Sequence, residues 1–426
     1  MGRPHVGKVM RSGAVALAVA MLTAACGGGS DSGSSDKDIS VVTALPFSGG
    51  LAEIGQDMYD GADIARQIIN EAGGVDGRQV KFTKVDVPDP ESGVTEVNRV
   101  ISQDQAKIVF CCYSSSIDLA VSPVTERNKV VMVESGAIAP EITERGFKYL
   151  LRTQSTATQY ASGALGLVED VVLPKLGMDA GDVSVAIVHE QGSYGKAYGA
   201  TVEKGLGDLG LDVVANESYD PNSTDLTSLV LAVKAKKPTI VMAASYTNDS
   251  VLFYDQARQQ GLSPKVFIGA GGGHSSEVFG KSQGKYANGV FESSSSAHVN
   301  DAALTGDMQK ISTELEDRYT KLRNKKLSNQ VILGFSGMWS LLKYVLPNAE
   351  DPMDPASIMK AAAEVKEPLG SLPNGWGLDF DENGQDTLAE PSVQQWQKED
   401  LVVVYPEKLA TADPIMIPLP DWNKRG

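Results

Sequence analysis

The sequence predicts an α/β protein built as two doubly wound parallel-sheet lobes joined by crossing hinge segments, and three observations carry that reading. Beyond Asp38, short β-branched runs alternate regularly with longer helical patterns, the signature of parallel strands covered by helices on both faces. The alternation comes in two sets, one ending near 153 and the other running from 154 to about 295. The chain has 426 residues, more than one compact core usually fills.

The N-terminal segment stands apart from that pattern. Residues 1–12 carry Arg3, Lys8 and Arg11 and no acid, and an uncharged run, 13–25, leads directly to Cys26. A basic start followed by a short apolar stretch is the layout of a secretory signal, and the run falls short of the roughly 20 residues that span a bilayer. The segment from Leu22 to Cys26 resembles a bacterial lipobox, with Leu22 one place early and Thr23 where the leucine usually stands. That resemblance implies an acylated Cys26 as the first mature residue and a membrane attachment only through that lipid. Simple secretion with cleavage near Ala25 is the alternative. Residues 26–37 are rich in Gly and Ser and read as a flexible tether.

Strands are expected at 39–44, 80–85, 107–112, 130–134, 183–188, 211–215, 239–243, 266–268 and 289–292. Helices are expected at 51–72, 92–104, 155–176, 195–209, 224–236 and 247–260. The first carries Met58, Ala62, Ala65 and Ile69 as an apolar stripe and stops at Gly73 and Gly74. Two long helical stretches, 302–323 and 329–345, follow the second set of units. A Pro-, Gly- and Asp-rich segment around 376–384 reads as a hairpin, and 401–404 as a last strand before an irregular tail. The expected organisation is a signal at 1–25, a tether at 26–37, a first lobe from 38–153 plus 297–385, and a second from 154–296 plus 386–426.

Composition narrows the function. Acids outnumber bases 54 to 38, for a net charge of −16, and no Lys/Arg cluster supplies the counterion release that drives nucleic-acid binding. Removing the three basic residues of the leader makes the remainder more acidic still. Cys111 and Cys112 are adjacent in a strand-like run with no distant partner; neighbours are poor disulfide partners, so buried free thiols are expected. Past the leader the histidines are His189, His274 and His298, and no metal, redox or nucleophile-elbow motif accompanies them. No cofactor and no metal is expected. Gly280, Lys281 and Ser282 end like a phosphate loop, but Ser275 stands where the first glycine must be.

Two loops follow parallel strands at the end where open α/β sheets take ligands. Tyr113, Ser114, Ser115 and Ser116 follow strand 107–112 and open a helical stretch, either as a carboxylate seat or as an ordinary helix cap. Gly136 to Pro140 follows strand 130–134 and could bring backbone close to a ligand.

Taken in order, several pieces resemble the type I periplasmic solute-binding proteins of branched-chain amino acid ABC transporters, the leucine/isoleucine/valine-binding group. They are Pro46 to Gly50 after the first strand; Gly61-Ala62 with the run from Ile68 to Arg78; Asp89-Pro90; Tyr113 to Ser116; Ala139 to Thr143 with Leu151 to Thr153; Tyr194-Gly195; and Gln256 to Gly261. The resemblance runs from about Asp38 to about Val404. It implies the type I periplasmic binding protein fold, a monomeric extracytoplasmic solute receptor held at the membrane by its lipid, and an ABC permease and ATPase as partners. It also implies site residues: Ser114 or Ser115 for a ligand carboxylate, Gly136 and Ile138 as a second clamp, and Tyr194 and Tyr246 from the second lobe. Ile54 stands where an aromatic is usual and Ile138 where a threonine is. At Gly271 the amino-acid binders carry a glutamate for the ligand's ammonium group; here no acid follows until Glu277. A ligand without a free ammonium group is then expected, a small carboxylate, amide or aromatic acid with His274 as a polar contact. Alternatively, Asp249 or Glu190 supplies the charge to a branched-chain amino acid-like ligand. The rival functions are a ligand-sensing ectodomain and a secreted hydrolase using His189 or His274 with a serine.

Overall fold

The computed structural model describes Gly2 and residues 38–425. The expected signal, the tether and Cys26 lie outside the described residues. The body contains two sheets. The first is built from β1 (Ile39–Leu45), β2 (Val80–Asp86), β3 (Ile108–Cys111), β4 (Val131–Glu134) and β5 (Leu150–Arg152), all parallel, in the order 2-1-3-4-5. The second contains β6 (Ser184–Glu190), β7 (Asp212–Tyr219), β8 (Ile240–Ala244), β9 (Val266–Ala270) and β10 (Phe291–Ser294), parallel in the order 10-9-8-6-7. A small ribbon pairs β11 (Lys366–Glu367) with β12 (Leu378–Asp379). Two antiparallel strands, β13 (Ser392–Gln397) and β14 (Asp400–Tyr405), extend the second sheet beyond β10.

The helices, in chain order, are α1 (Ala52–Glu71), α2 (Pro90–Gln103), α3 (Ser115–Arg127), α4 (Glu141–Glu144), α5 (Ala157–Leu167), α6 (Leu173–Leu176), α7 (Ser193–Asp208), α8 (Thr227–Ala235), α9 (Thr247–Gln260), α10 (Glu277–Gln283), α11 (Gly306–Arg323), α12 (Asn329–Trp339) and α13 (Pro355–Glu364). Local signals fix several starts. Asp89 caps α2 through the Ser92 N–H with Pro90 in the first turn, Thr156 and Gln159 form a reciprocal capping box on α5, and Ser328 caps α12. The helix expected at 155–176 is continuous but opens into a wider turn at Val168–Val172, just before Pro174, whose missing N–H breaks the regular ladder.

Strands β3 and β8 are buried at every position, as strands covered by helices on both faces must be. Strand β13 was not expected, because Ser-Val-Gln-Gln-Trp-Gln reads as polar. It lies in the core because its amides are satisfied: Gln394 donates to Ser294 Oγ and the Ser295 carbonyl, and Gln395 to the carbonyls of Gly289 and Ile415. The hairpin expected near 376–384 is present at its far end, where Phe380 bridges Asp386.

Three segments cross between the sheets side by side. Arg152, at the end of β5, is fully buried; it donates through Nε to Gln385 Oε1 at 2.6 Å and through Nη1 to the Ala139 carbonyl at 2.6 Å. Ser155 Oγ donates to the Ala389 carbonyl, and Asn329 ties Ser294 Oγ to the Ala297 N–H. The first lobe also depends on one close helix crossing. A Cβ at Gly61 of α1 would fall on the Val331 carbonyl oxygen, and one at Gly334 of α12 on that of Met58. Gly61→Ala or Gly334→Ala is therefore expected to cost about 2 kcal/mol or more in urea unfolding, whereas Gly207→Ala, with open space at its Cβ, changes stability by less than about 1 kcal/mol in either direction. Equal effects at the three positions would contradict this packing.

Candidate functional site

In a parallel sheet ordered 2-1-3-4-5, the loops leaving β1 and β3 turn to opposite faces and leave a crevice at the strands' carboxyl ends. The same pattern recurs in the second sheet between β6 and β8. Tyr113 and Ser114 follow β3, and Tyr246 follows β8, so each lies at such a switch point. The structure brings them together. The Tyr113 and Tyr246 rings are 6.3 Å apart, Tyr246 meets Tyr194 edge to face at 5.6 Å, and the Tyr246 hydroxyl is hydrogen-bonded to Ser114.

The first-lobe half is built by backbone groups accepted at buried oxygens. Tyr113 adopts φ 73°, and Gly136 makes room for its ring: a Cβ there would stand 2.7 Å from it. Glu134, the last residue of β4, accepts the N–H groups of Cys112 at 2.6 Å, Ala137 at 2.7 Å and Gly136. Ser115 Oγ accepts the N–H groups of Ile138 at 3.2 Å and Ala139 at 3.1 Å. The Ile138 N–H is thus spent within the lobe, and its side chain packs into the second lobe's core. Ser114 begins α3 without capping it, which leaves the first-turn N–H groups and a hydroxyl at the cleft. Asp118 and Glu134 are hydrogen-bonded to each other, and burial raises both, so one of the pair carries a proton.

Cys111 and Cys112 are buried, as expected, but they are not free thiols: they form a disulfide with each other, with Cα atoms 3.2 Å apart. The expectation rested on neighbours being poor disulfide partners; here the two sulfurs meet.

In the second lobe, Tyr194 donates to the Ala270 carbonyl at 2.6 Å, and Gly271, at φ 80°, leaves the space that its hydroxyl fills. His274 lies behind this glycine loop, fully buried between Phe267 and Phe279, with Nδ1 3.5 Å from Glu292 Oε2. Glu292, a residue the sequence reading did not single out, also accepts the Gly272 N–H. Burial raises its pKa, and His274 opposes the rise. An acid inside an expected buried strand was the available signal. Glu190 accepts the N–H groups of Gly192 and Gly195, the latter at 2.7 Å, and Asp249 accepts the Tyr219 hydroxyl at 2.6 Å.

Between the lobes lies a small cavity bordered by Tyr113, Gly136, Ile138, Gly271, Gly272 and Gln330, with Gln154, Tyr160, Ser294 and Asn329 completing its wall. None of its lining residues is an acid or a base. Gln154, Tyr160, Asn329 and Gln330 carry no motif of their own, and only the fold brings them here.

Residues 38–398 match the periplasmic binding protein family. Leu/Ile/Val-binding protein homolog 8 of Brucella abortus is 33% identical over 377 residues, covering 88% of this chain and 92% of that protein. Homolog 7 of Brucella suis is 32% identical over 400 residues, covering 94% and 98%. Among solved structures, the substrate binding protein LivJ of Streptococcus pneumoniae, in complex with isoleucine, superposes with a TM-score of 0.73 at 18% identity, covering 87% of this chain and 100% of that one. A solute binding protein of Rhodopseudomonas palustris in complex with benzoate gives 0.71 at 16%, covering 88% and 98%.

Burial pushes Asp249 up to about 7, with the Tyr219 hydroxyl working against the rise. The folded state therefore holds a proton that the unfolded chain releases near pH 4, so stability is greatest in acid and is lost as pH rises through about 4–7. Asp249→Asn should reduce that loss by about 2–4 kcal/mol in urea titrations at pH 4.5 and 7.5, leaving the parts due to the other acids that burial raises, Asp386 (to about 7), Asp118, Glu134 and Glu292 among them. An unchanged pH slope in the variant would contradict the assignment.

Proposed function

The chain belongs to the periplasmic binding protein family, and from that premise we propose that it is the lipid-anchored solute receptor of an ABC importer, closing its two lobes over one small carboxylic acid. The observation that carries the reading is the meeting of both switch points, Tyr113 and Ser114 against Tyr246 and Tyr194, beside a small cavity that Tyr113 and Gly271 border and that no Asp, Glu, Lys, Arg or His lines. A ligand touching both halves favours the closed arrangement over an open one by its differential affinity, and the closed form is what a permease would recognise. Permease and ATPase must be separate chains, since the sequence lacks a phosphate loop and no helix among the described residues is long and apolar enough to cross a membrane.

The ligand's carboxylate meets Ser114, Ser115 and the open first turn of α3, where hydroxyls and N–H groups supply the positive end of the helix dipole. Tyr194 and Tyr246 cover its apolar part. A free α-ammonium group is disfavoured, because each nearby acid of the second lobe already has partners: Glu190 holds two backbone N–H groups, Glu292 holds Gly272 and faces His274, and Asp249 holds Tyr219. Burying an ammonium without a counter-charge is costly. Raised pKa values at Asp249 and Glu292 also lessen their repulsion of a carboxylate. The benzoate-bound neighbour is an example of such a ligand in this fold, and the isoleucine-bound one of the alternative.

Benzoate at about a hundred times its Kd should stabilise the protein by about 2.7 kcal/mol in thermal-shift assays, and isoleucine should leave the melting temperature unchanged. Tyr246→Ala should weaken benzoate binding about ten-fold while moving the melting temperature of the ligand-free protein by no more than about 3 °C. Stabilisation by isoleucine alone would overturn the ligand assignment.

A further inference from the structure

A second opening lies outside the small cavity, between the start of α1 and the starts of α9 and α10. Ile54 and Asp57 line it from the first lobe, Thr247 and Glu277 from the second, and Gln330 lies at its inner end. Gln330 also borders the small cavity, and its side chain is hydrogen-bonded to Tyr113. A Cβ on Gly272 would stand 3.0 Å from Gln330 Nε2 and 3.4 Å from the Tyr113 hydroxyl. Gln330 therefore borders both spaces, with Tyr113 beside it on the inner side, and a side chain, unlike backbone, can turn aside.

Thr247 is 8% exposed and its Oγ1 has no hydrogen-bond partner. A buried hydroxyl left unpaired is destabilising, and a ligand that reached it would relieve that cost. It sits in the first turn of α9, whose cap residue, Tyr246, makes no side-chain capping bond. Charges at the rim decide what kind of group belongs here. Glu53, Asp57, Glu277 and Lys326 line the opening; Lys326 is paired with Asp400, which does not line it, and Lys325 is engaged by Glu53 at 2.9 Å and Glu277 at 3.7 Å. Asp57 accepts the Tyr319 hydroxyl at 2.9 Å and the Ser328 hydroxyl at 2.7 Å. A second carboxylate would be repelled; a neutral hydrogen-bonding group would not.

We propose that this opening is the outer half of the ligand site, with Thr247 Oγ1 hydrogen-bonding a polar group at the end of the ligand opposite its carboxylate. The ligand class is then a small carboxylic acid with a distal hydroxyl, amide or aromatic amine, with the Tyr113–Gln330 pair displaced to admit it. This deepens, and rests on, the reading of the chain as a receptor for a carboxylic acid.

Titration calorimetry with benzoate, 4-hydroxybenzoate and 4-aminobenzoate on the wild type, Thr247→Val and Thr247→Ser tests it. Wild type should bind the two substituted acids about five-fold tighter than benzoate, the worth of one hydrogen bond. Thr247→Val should bind all three alike, with benzoate affinity kept within about two-fold, and Thr247→Ser should restore the preference. A preference that survives Thr247→Val, equal loss of all three acids in that variant, or wild-type binding of benzoate without preference overturns the outer subsite while leaving the receptor reading intact. Failure of all three acids to bind wild type, with isoleucine binding, overturns the carboxylic-acid reading and the subsite with it.

Discussion

Backbone N–H groups at the floor of the cleft lie out of reach of water, and each must find an oxygen. Buried acids meet that demand in both lobes. Glu134 holds three N–H groups from the loops after β3 and β4, Glu190 two from the loop before α7, and Glu292 one from the glycine loop after β9. The loops after β3, β4 and β9 and the turn into α7 are thus each held by a carboxylate from a strand. The same arrangement removes those acids from the ligand's reach, so one constraint both builds the site and limits what it takes.

The two halves of the site belong to different sheets, and their meeting is a property of the whole fold. Parallel order places the loops after β3 and β8 at equivalent switch points. The crossing segments, with Arg152 buried among the Ala139 and Gln385 oxygens, hold the lobes so that these points face one another. Tyr246 packs against the cores of both lobes.

Much of this was legible in the sequence. The β-branched runs that became β1 to β4 and β6 to β10, and the long apolar-striped α1, follow from periodicity, because their burial is two-sided or amphipathic; the short β5, Leu-Leu-Arg, carries no such signal and was not expected. Tyr113, Ser114 and Tyr246 could be placed from the order of motifs around them. What could not be read depended on partners distant in sequence. Strand β13 is polar by composition and buried only because Ser294, Gly289 and Ile415 receive its amides. Gln154 reaches the cavity from the segment after β5, and Asn329 and Gln330 from the start of α12, far away in sequence. His274 sits behind the glycine loop, between Phe267 and Phe279, for a reason carried by Glu292 on the neighbouring strand. The pairing of Cys111 with Cys112 runs against the general rule for adjacent cysteines, so residue types alone pointed the other way.

The central claim is that the cleft holds a carboxylic acid without an α-ammonium group. It is tested most directly by mass spectrometry of the small molecule that copurifies with the full chain and is released on denaturation. One equivalent of a small carboxylic acid without an α-amino group is the predicted result. Leucine, isoleucine or valine in that position would contradict the account.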